Sequence, residues 1–130
     1  ANENQFKLYI NDTGLLLAMY GFQTKKALLE NTLKGNAKGG IYENVMADLL
    51  AKRGYELYYY KPDDSNELEF LLEKNGEVIP VEVKAGNTPT KSLNRFMEKY
   101  KPSIAYKIAE GNLGLNGTKL TIPHYMVMFL

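Results

Sequence analysis

Apolar and polar residues alternate along two short stretches in the middle of the chain, 67–72 and 76–84. A period of two is typical of a β-strand that buries one face. Between the stretches lies Asn75-Gly76, a pair that readily adopts the positive φ angles of a tight turn. The pattern therefore predicts a β-hairpin whose buried face includes Phe70 and Val81.

Elsewhere the apolar residues recur every three or four positions, which is the spacing of a helix with one buried side. Asp12 or Thr13 is a suitable N-cap for the first such helix, and Gly21 is a suitable end. Ser92 is expected to cap the last one, which Pro102 terminates. The predicted helices are 14–20, 25–33, 41–53 and 93–100.

Further strands are predicted at 6–10, 56–61, 104–108 and 119–122, and the segment 125–130 is expected to form a strand or a short helix. The order hairpin, helix, strand favours a crossover that joins two parallel neighbours in one sheet. We therefore expect an α/β fold with a central mixed β-sheet flanked by helices. An N-terminal strand-helix extension, 1–38, packs on a core formed by 39–130. Because the chain does not begin with Met, we expect one compact domain excised from a longer protein.

The loop predicted at 35–40 has glycines at both ends, with the spacing of a phosphate-binding loop. Ile41 and Tyr42 follow it, where that motif needs a lysine and then a serine or threonine. Without the lysine no ammonium group reaches the phosphates, and without the hydroxyl no ligand reaches Mg²⁺. We therefore expect this segment to bind no ATP.

The composition is that of an ordinary globular domain, with 45% hydrophobic and 24% charged residues among 130 and a net charge of +1. No apolar run approaches the roughly 20 residues of a membrane helix, so we expect no membrane partner. The chain has no cysteine and no signal peptide, which fits a cytoplasmic protein.

The charged residues of the hairpin also follow a pattern. Residues two apart on a strand share a face, so Glu67 and Glu69 project to one side of the first strand, and Glu82 and Lys84 to one side of the second. Three carboxylates that meet at one point suit a divalent cation, because Mg²⁺ prefers carboxylate oxygens. The alternative is the solvated face of an amphipathic hairpin, and the spacing alone leaves both interpretations open.

Acidic and basic residues are unevenly distributed along the chain. Residues 56–82 hold eight acids against Lys61 and Lys74, whereas 84–107 hold six basic residues against Glu98. An acidic cluster beside a basic rim is what an enzyme acting on nucleic acid needs, although alternating surface charge is the simpler explanation. His124, the only histidine, has no nucleophile in a triad arrangement and is expected at the surface or in a capping role.

The predicted order is helix with Glu43, strand, strand with Glu69, strand with Glu82 and Lys84, helix, strand. This order resembles the PD-(D/E)XK nuclease-like core, which is also called restriction-endonuclease-like. More narrowly, the chain resembles the family called domain of unknown function 4143, found at the C-terminal end of prokaryotic AAA-type ATPases. The most specific match is Pro-Val-Glu-Val-Lys-Ala-Gly at 80–86 with an upstream acid. The matching stretches cover nearly the whole chain and are 6–10, 12–16, 42–44, 67–72, 78–86, 91–96 and 122–123.

The resemblance implies a Mg²⁺-dependent nuclease that cleaves DNA and is regulated by the ATPase domain of the same parent chain. Glu69 and Glu82 would be the metal ligands, joined by the carbonyl of Val83. Lys84 would stabilise the pentacovalent phosphate or position water, and Glu43 would hold a second metal or a metal-bound water.

One residue departs from the family's pattern, because Glu69 stands where the family usually has Asp. The extra methylene moves the carboxylate outward, in a site where Mg²⁺ demands near-ideal octahedral geometry at about 2.1 Å. Glu67 is a substitute ligand further along the strand. Two alternatives to a nuclease therefore stay open. One is an inactive nuclease-fold module that binds DNA or docks on the ATPase domain or a partner protein, and the other is a plain DNA-binding domain.

Overall fold

The computed structural model describes residues 6–130, in which helices flank a six-stranded mixed β-sheet, as the sequence predicts. In chain order the elements are α1 Thr13–Tyr20, α2 Phe22–Leu29, α3 Gly35–Lys52, β1 Tyr58–Asp63, β2 Asn66–Lys74, β3 Glu77–Val83, α4 Lys91–Tyr100, β4 Ala105–Ala109, β5 Gly114–Asn116, β6 Lys119–Pro123 and a C-terminal 3₁₀ helix His124–Phe129. The strands lie in the order β1-β2-β3-β4-β6-β5. Across the described part of the chain, no helix combines the length and the apolar character needed to cross a membrane.

The first three strands form an antiparallel meander, after which the chain crosses over. The turn between β2 and β3 is Asn75-Gly76, with φ angles of 55° and 80°, which confirms the predicted hairpin. The crossover is also confirmed, because α4 connects β3 to β4 and these two strands are parallel. β6 pairs in parallel with β4 and antiparallel with the short edge strand β5, which the hydrophobic pattern did not predict.

The helices α3 and α4 cover opposite faces of the sheet. Val81 and Val83 pack with Leu50 of α3 in the larger hydrophobic core. On the other face, Leu93 of α4 packs with Leu68 of β2. Because successive strand residues alternate between faces, the residue between the two valines projects toward α4.

The first residues that the structure describes, 6–10, do not form a strand. Residues 6–10 pair with no other strand, so the strand predicted there was wrong. The Asn44 side chain of α3 instead accepts a hydrogen bond from Ile10 N at 2.8 Å and donates one to Ile10 O at 2.9 Å. A buried side-chain amide therefore satisfies the backbone that a neighbouring strand was expected to satisfy.

The predicted start and end of α1 are confirmed. Asp12 caps the helix, since its Oδ1 accepts a hydrogen bond from Leu15 N at 3.0 Å, and Gly21 ends it with φ 90°. The second helix begins and ends earlier than predicted, at Phe22 and Leu29.

The loop predicted at 35–40 was wrong, because these residues form the first turns of α3. Glycine in a helix costs about 1 kcal/mol relative to alanine, which favoured a loop. The helix is nevertheless stabilised further along by Met46 and Leu50, which are buried in the larger core. α3 also runs through position 38, where the sequence places the end of the N-terminal extension.

Candidate functional site

Glu82 lies near the end of β3, on the face of the sheet that α4 covers. It is 2% exposed, so the interpretation of this residue as part of a solvated face was wrong. Its Oε2 accepts a hydrogen bond from the Leu93 backbone N–H at 3.0 Å. Its Oε1 forms an ion pair with Lys84 Nζ at 2.6 Å. Glu82 is therefore a buried carboxylate with both oxygens engaged.

The Leu93 contact supplies the helix cap that Ser92 was expected to provide. α4 begins at Lys91, and the preceding Thr90 makes no side-chain hydrogen bond to the helix. The first N–H groups of a helix have no partner within it, and the helix dipole favours a carboxylate there. Glu82 thus joins the end of β3 to the start of α4.

Glu69 lies at an irregularity in β2. Tyr58 of β1 pairs with Leu71, and Tyr60 of β1 pairs with Leu68. Between these two pairs β2 has two residues where β1 has one. An extra residue of this kind is a β-bulge, which locally changes the face to which side chains point. The bulge explains why Leu68 packs on the α4 side, although the hairpin pattern predicts it on the same face as the residues that contact α3.

The Glu69 carboxylate takes the place of a backbone partner in the sheet. Its Oε2 accepts a hydrogen bond from the Val83 backbone N–H at 3.1 Å. Burial raises the pKa of Glu69 to about 7, and the nearby Glu82 carboxylate adds to this rise. Hydrogen bonds from backbone amides and the charge of Lys84 act in the opposite direction. The structure thus brings Glu69, Glu82 and Lys84 together.

Glu43 and Glu67 belong to a neighbouring cluster around Lys7. Lys7 Nζ forms ion pairs with Glu43 Oε1, at 2.8 Å, and with Glu67. Tyr9 donates a hydrogen bond from its hydroxyl to the same Glu43 oxygen at 2.6 Å. Burial of Lys7 works against its charged form, but the two carboxylates outweigh burial and raise the pKa of Lys7. Glu43 is therefore neutralised by an ammonium group of the chain itself.

Tyr9 lies close to both clusters. Burial raises the pKa of Tyr9, and the hydrogen bond to Glu43 and the charges of Glu69 and Glu67 raise it further. Sequence reasoning missed the roles of Tyr9 and Lys7. The signal that could have found them is their spacing of two in the strand predicted at 6–10, which would place both on one side.

The group formed by Glu69, Glu82 and Lys84 offers two carboxylates to a metal ion. Within residues 6–130, no group of three or more Asp, Glu, His or Cys side chains is arranged to hold a metal ion. Glu69 and Glu82 still fit as a pair, because Mg²⁺ commonly uses one or two carboxylates and retains several waters. Burial raises the pKa of Glu69 to about 7, so this carboxyl has to release a proton before it binds a cation. Glu43 would have to leave Lys7 to join them.

His124 holds the backbone at the end of β3. Its Nε2 lies 2.7 Å from the Lys84 backbone oxygen, and because a carbonyl only accepts, Nε2 is the donor. The Tyr42 ring of α3 packs edge-on against the imidazole, with 4.7 Å between the ring centroids. The expected surface or capping role of His124 stays a prediction, because this contact is to the chain just beyond β3 and not to a helix end.

These features define a small α/β domain with an acid–lysine cluster where β2, β3 and α4 meet. The chain belongs to the family described as domain of unknown function (DUF4143), whose model matches residues 38–125. The uncharacterized proteins Rv2008c of Mycobacterium tuberculosis and Mb2031c of Mycobacterium bovis are each 35% identical to it over 91 residues. The match covers 70% of this chain and 20% of each relative, so the chain spans about a fifth of the length of these curated relatives. No solved structure gives a significant match.

Proposed function

We propose that this domain is a Mg²⁺-dependent nuclease of the PD-(D/E)XK, restriction-endonuclease-like type, which cleaves DNA in the cytoplasm and is coupled to an AAA-type ATPase domain of its parent chain. The observation that carries the proposal is the meeting of Glu69, Glu82 and Lys84 at the end of the β2–β3 pair. The element order α3-β1-β2-β3-α4-β4 supports it, because the PD-(D/E)XK nuclease-like core that the chain resembles has the same order of one helix, three strands, one helix and one strand.

Each residue of the cluster has a distinct role in this proposal. Glu69 and Glu82 are the carboxylates that would hold the metal ion, which supplies charge stabilisation at the phosphate and activation of water. Lys84 balances the charge of Glu82 at 2.6 Å and would also offset negative charge on a phosphate bound beside the acids. The Leu93 N–H fixes the orientation of the Glu82 carboxylate before any substrate arrives.

Cleavage of supercoiled plasmid DNA, with MgCl₂ or MnCl₂ and with EDTA, tests the proposal. We expect nicked and linear products only with a divalent cation, and loss of these products in Glu82→Gln and in Lys84→Met. Glu98→Gln is the matched control, because it removes an exposed acid from α4. The proposal is wrong if calorimetric titration with either cation gives no heat, or if Glu82→Gln cleaves as well as the control.

A second candidate is an inactive nuclease-fold module that binds DNA or docks on the ATPase domain or a partner protein. It is favoured by the pairing of Glu43 with Lys7 and Tyr9, which leaves only two carboxylates in the cluster. Glu69→Asp distinguishes the candidates, because it restores the acid that the family usually has. New metal-dependent cleavage in this variant alone would mean that catalysis was lost at position 69.

A further inference from the structure

Two lysines on the α4 face of the sheet lack an acidic partner. Lys107 of β4 lies opposite Glu82 of β3, and it pairs on its other side with Thr121 of β6. Lys119 precedes Thr121 by two positions on the same strand. Paired residues project to one face, and so do residues two apart, so both lysines share the face of Glu82. Neither of them forms an ion pair with any residue in the range 6–130.

Asparagine amides hold both ammonium groups in place. Lys107 Nζ donates a hydrogen bond to Asn87 Oδ1 at 2.6 Å, and Lys119 Nζ donates one to Asn94 Oδ1 at 2.9 Å. An amide oxygen accepts a hydrogen bond but carries no net negative charge. The two ammonium groups are therefore positioned without being neutralised.

The cations are also close enough to act on each other. Burial lowers the pKa of Lys107, and the positive charges of Lys119 and Lys84 lower it further, whereas Glu82 acts in the opposite direction. Since Lys84 is paired with Glu82, the excess positive charge of the three lysines resides on Lys107 and Lys119. A bound anion would relieve their mutual repulsion.

We propose that Lys107 and Lys119 form a subsite for the phosphodiester backbone of DNA, beside the cluster of Glu69, Glu82 and Lys84. Lys107 and Lys119 lie on neighbouring strands, which are about 4.8 Å apart, and they are offset by two residues, or about 6.6 Å, along the strands. Their Cα atoms are therefore roughly 8 Å apart, which is longer than one phosphate group and fits a polyanion with successive phosphates. The inference rests on the proposed function, because that function makes DNA the polyanion.

Binding measured without a divalent cation tests this subsite separately from cleavage. The probe is a fluorescein-labelled DNA duplex, followed by anisotropy in EDTA over a series of NaCl concentrations. We expect Lys107→Gln with Lys119→Gln to weaken binding and to reduce the slope of log K against log[salt] by about 2, or roughly 0.9 for each phosphate that is no longer neutralised. The matched control is Lys25→Gln with Lys34→Gln, two exposed lysines near the N-terminal helices, and should leave the slope unchanged.

A second double variant keeps both lysines but neutralises their charge. Asn87→Asp with Asn94→Asp places a carboxylate at each ammonium group and should weaken binding as the lysine pair does. Its control is Asn31→Asp with Asn36→Asp, which adds the same charge elsewhere. Asn31 holds Lys38 in a comparable contact at 3.2 Å. Circular dichroism of each variant confirms that it is folded.

The outcomes separate this inference from the proposed function. Equal weakening by the control pairs, or an unchanged salt slope in the lysine variant, would overturn the subsite. If the unchanged domain binds DNA through these lysines but never cleaves with metal, the subsite stands and the nuclease proposal fails. If it cleaves and the lysine variant cleaves with unchanged KM, the subsite fails and the nuclease proposal stands.

Discussion

Glu82 Oε2 lies 3.0 Å from the Leu93 backbone nitrogen, so a residue at the centre of the candidate site also holds α4 against the sheet. The other oxygen of the same carboxylate pairs with Lys84. A substitution at Glu82 will therefore alter stability and chemistry together. Variants at this position need a measure of folding beside any measure of activity.

The Glu82 contacts predict that two substitutions lower the free energy of unfolding by different amounts. Glu82→Ala should lower the free energy of unfolding by about 2–4 kcal/mol, because it leaves a buried N–H of Leu93 and the Lys84 ammonium without a partner. Glu82→Gln should cost about 1 kcal/mol less, since an amide oxygen can still accept from Leu93. Urea unfolding followed by circular dichroism measures both. Equal losses would show that the Leu93 hydrogen bond contributes nothing.

The pKa of Glu69 predicts that stability falls as pH rises. Burial raises this pKa from 4.5 to about 7, so the folded state binds a proton that the unfolded state has already released in this range. The stabilisation linked to that proton is complete below pH 4.5 and is lost as pH rises through 7. The shift in the pKa of Glu69 corresponds to about 3 kcal/mol of the free energy of unfolding.

Urea unfolding in EDTA at several pH values measures this loss. Glu69→Gln has no titrating carboxyl at this position, so its stability should depend on pH less steeply than that of the unchanged domain. The difference between the two proteins is the informative quantity, because other acids titrate in both. Parallel pH profiles would contradict the prediction.

Much of the fold could be predicted because its signals are local. The Asn75-Gly76 turn and the Asp12 cap each depend on residues within a few positions. The segment 6–10 has the alternation of a strand, yet its backbone pairs with Asn44, which is 34 positions away from Ile10. Nothing in the local pattern distinguishes a side-chain amide from a neighbouring strand as the partner.

In the candidate site, too, contacts between residues close in sequence could be predicted and contacts between distant residues could not. Glu82 lies in β3 and Lys84 one residue beyond its end, so their contact joins residues that are only two apart in the sequence. The bulge at Glu69 depends on how β1 and β2 pair, which no local pattern specifies. The contact between Lys7 and Glu43 joins residues 36 positions apart and was not predicted.

The hydrogen bonds of Asn44 predict that this residue fastens the N-terminal segment to α3. Asn44 is 4% exposed, and its amide makes two hydrogen bonds to the Ile10 backbone. Asn44→Ala should lower the free energy of unfolding by about 1–3 kcal/mol, because it leaves these backbone groups unsatisfied. Limited proteolysis should then cut near Ile10 faster than in the unchanged domain. Asn36→Ala, at an exposed position, is the control and should change neither measurement.

Lys7 predicts a link between the N-terminal segment and metal binding. Lys7→Met removes the cation that Glu43 and Glu67 share, and these like charges should lower the free energy of unfolding by about 1 kcal/mol after solvent screening. The same change frees the Glu43 carboxylate, so MgCl₂ should stabilise this variant more than the unchanged domain. Urea unfolding with and without MgCl₂ measures both effects.

Two further variants identify the cause of any added stabilisation by Mg²⁺. Lys38→Met removes a lysine that an asparagine holds, and it should respond to Mg²⁺ as the unchanged domain does. Adding Glu43→Gln to Lys7→Met should abolish the extra response, because the freed ligand is then missing. If Lys7→Met alone gains nothing from Mg²⁺, Glu43 takes no part in metal binding, and its pairing with Lys7 only fastens the N-terminal segment to α3.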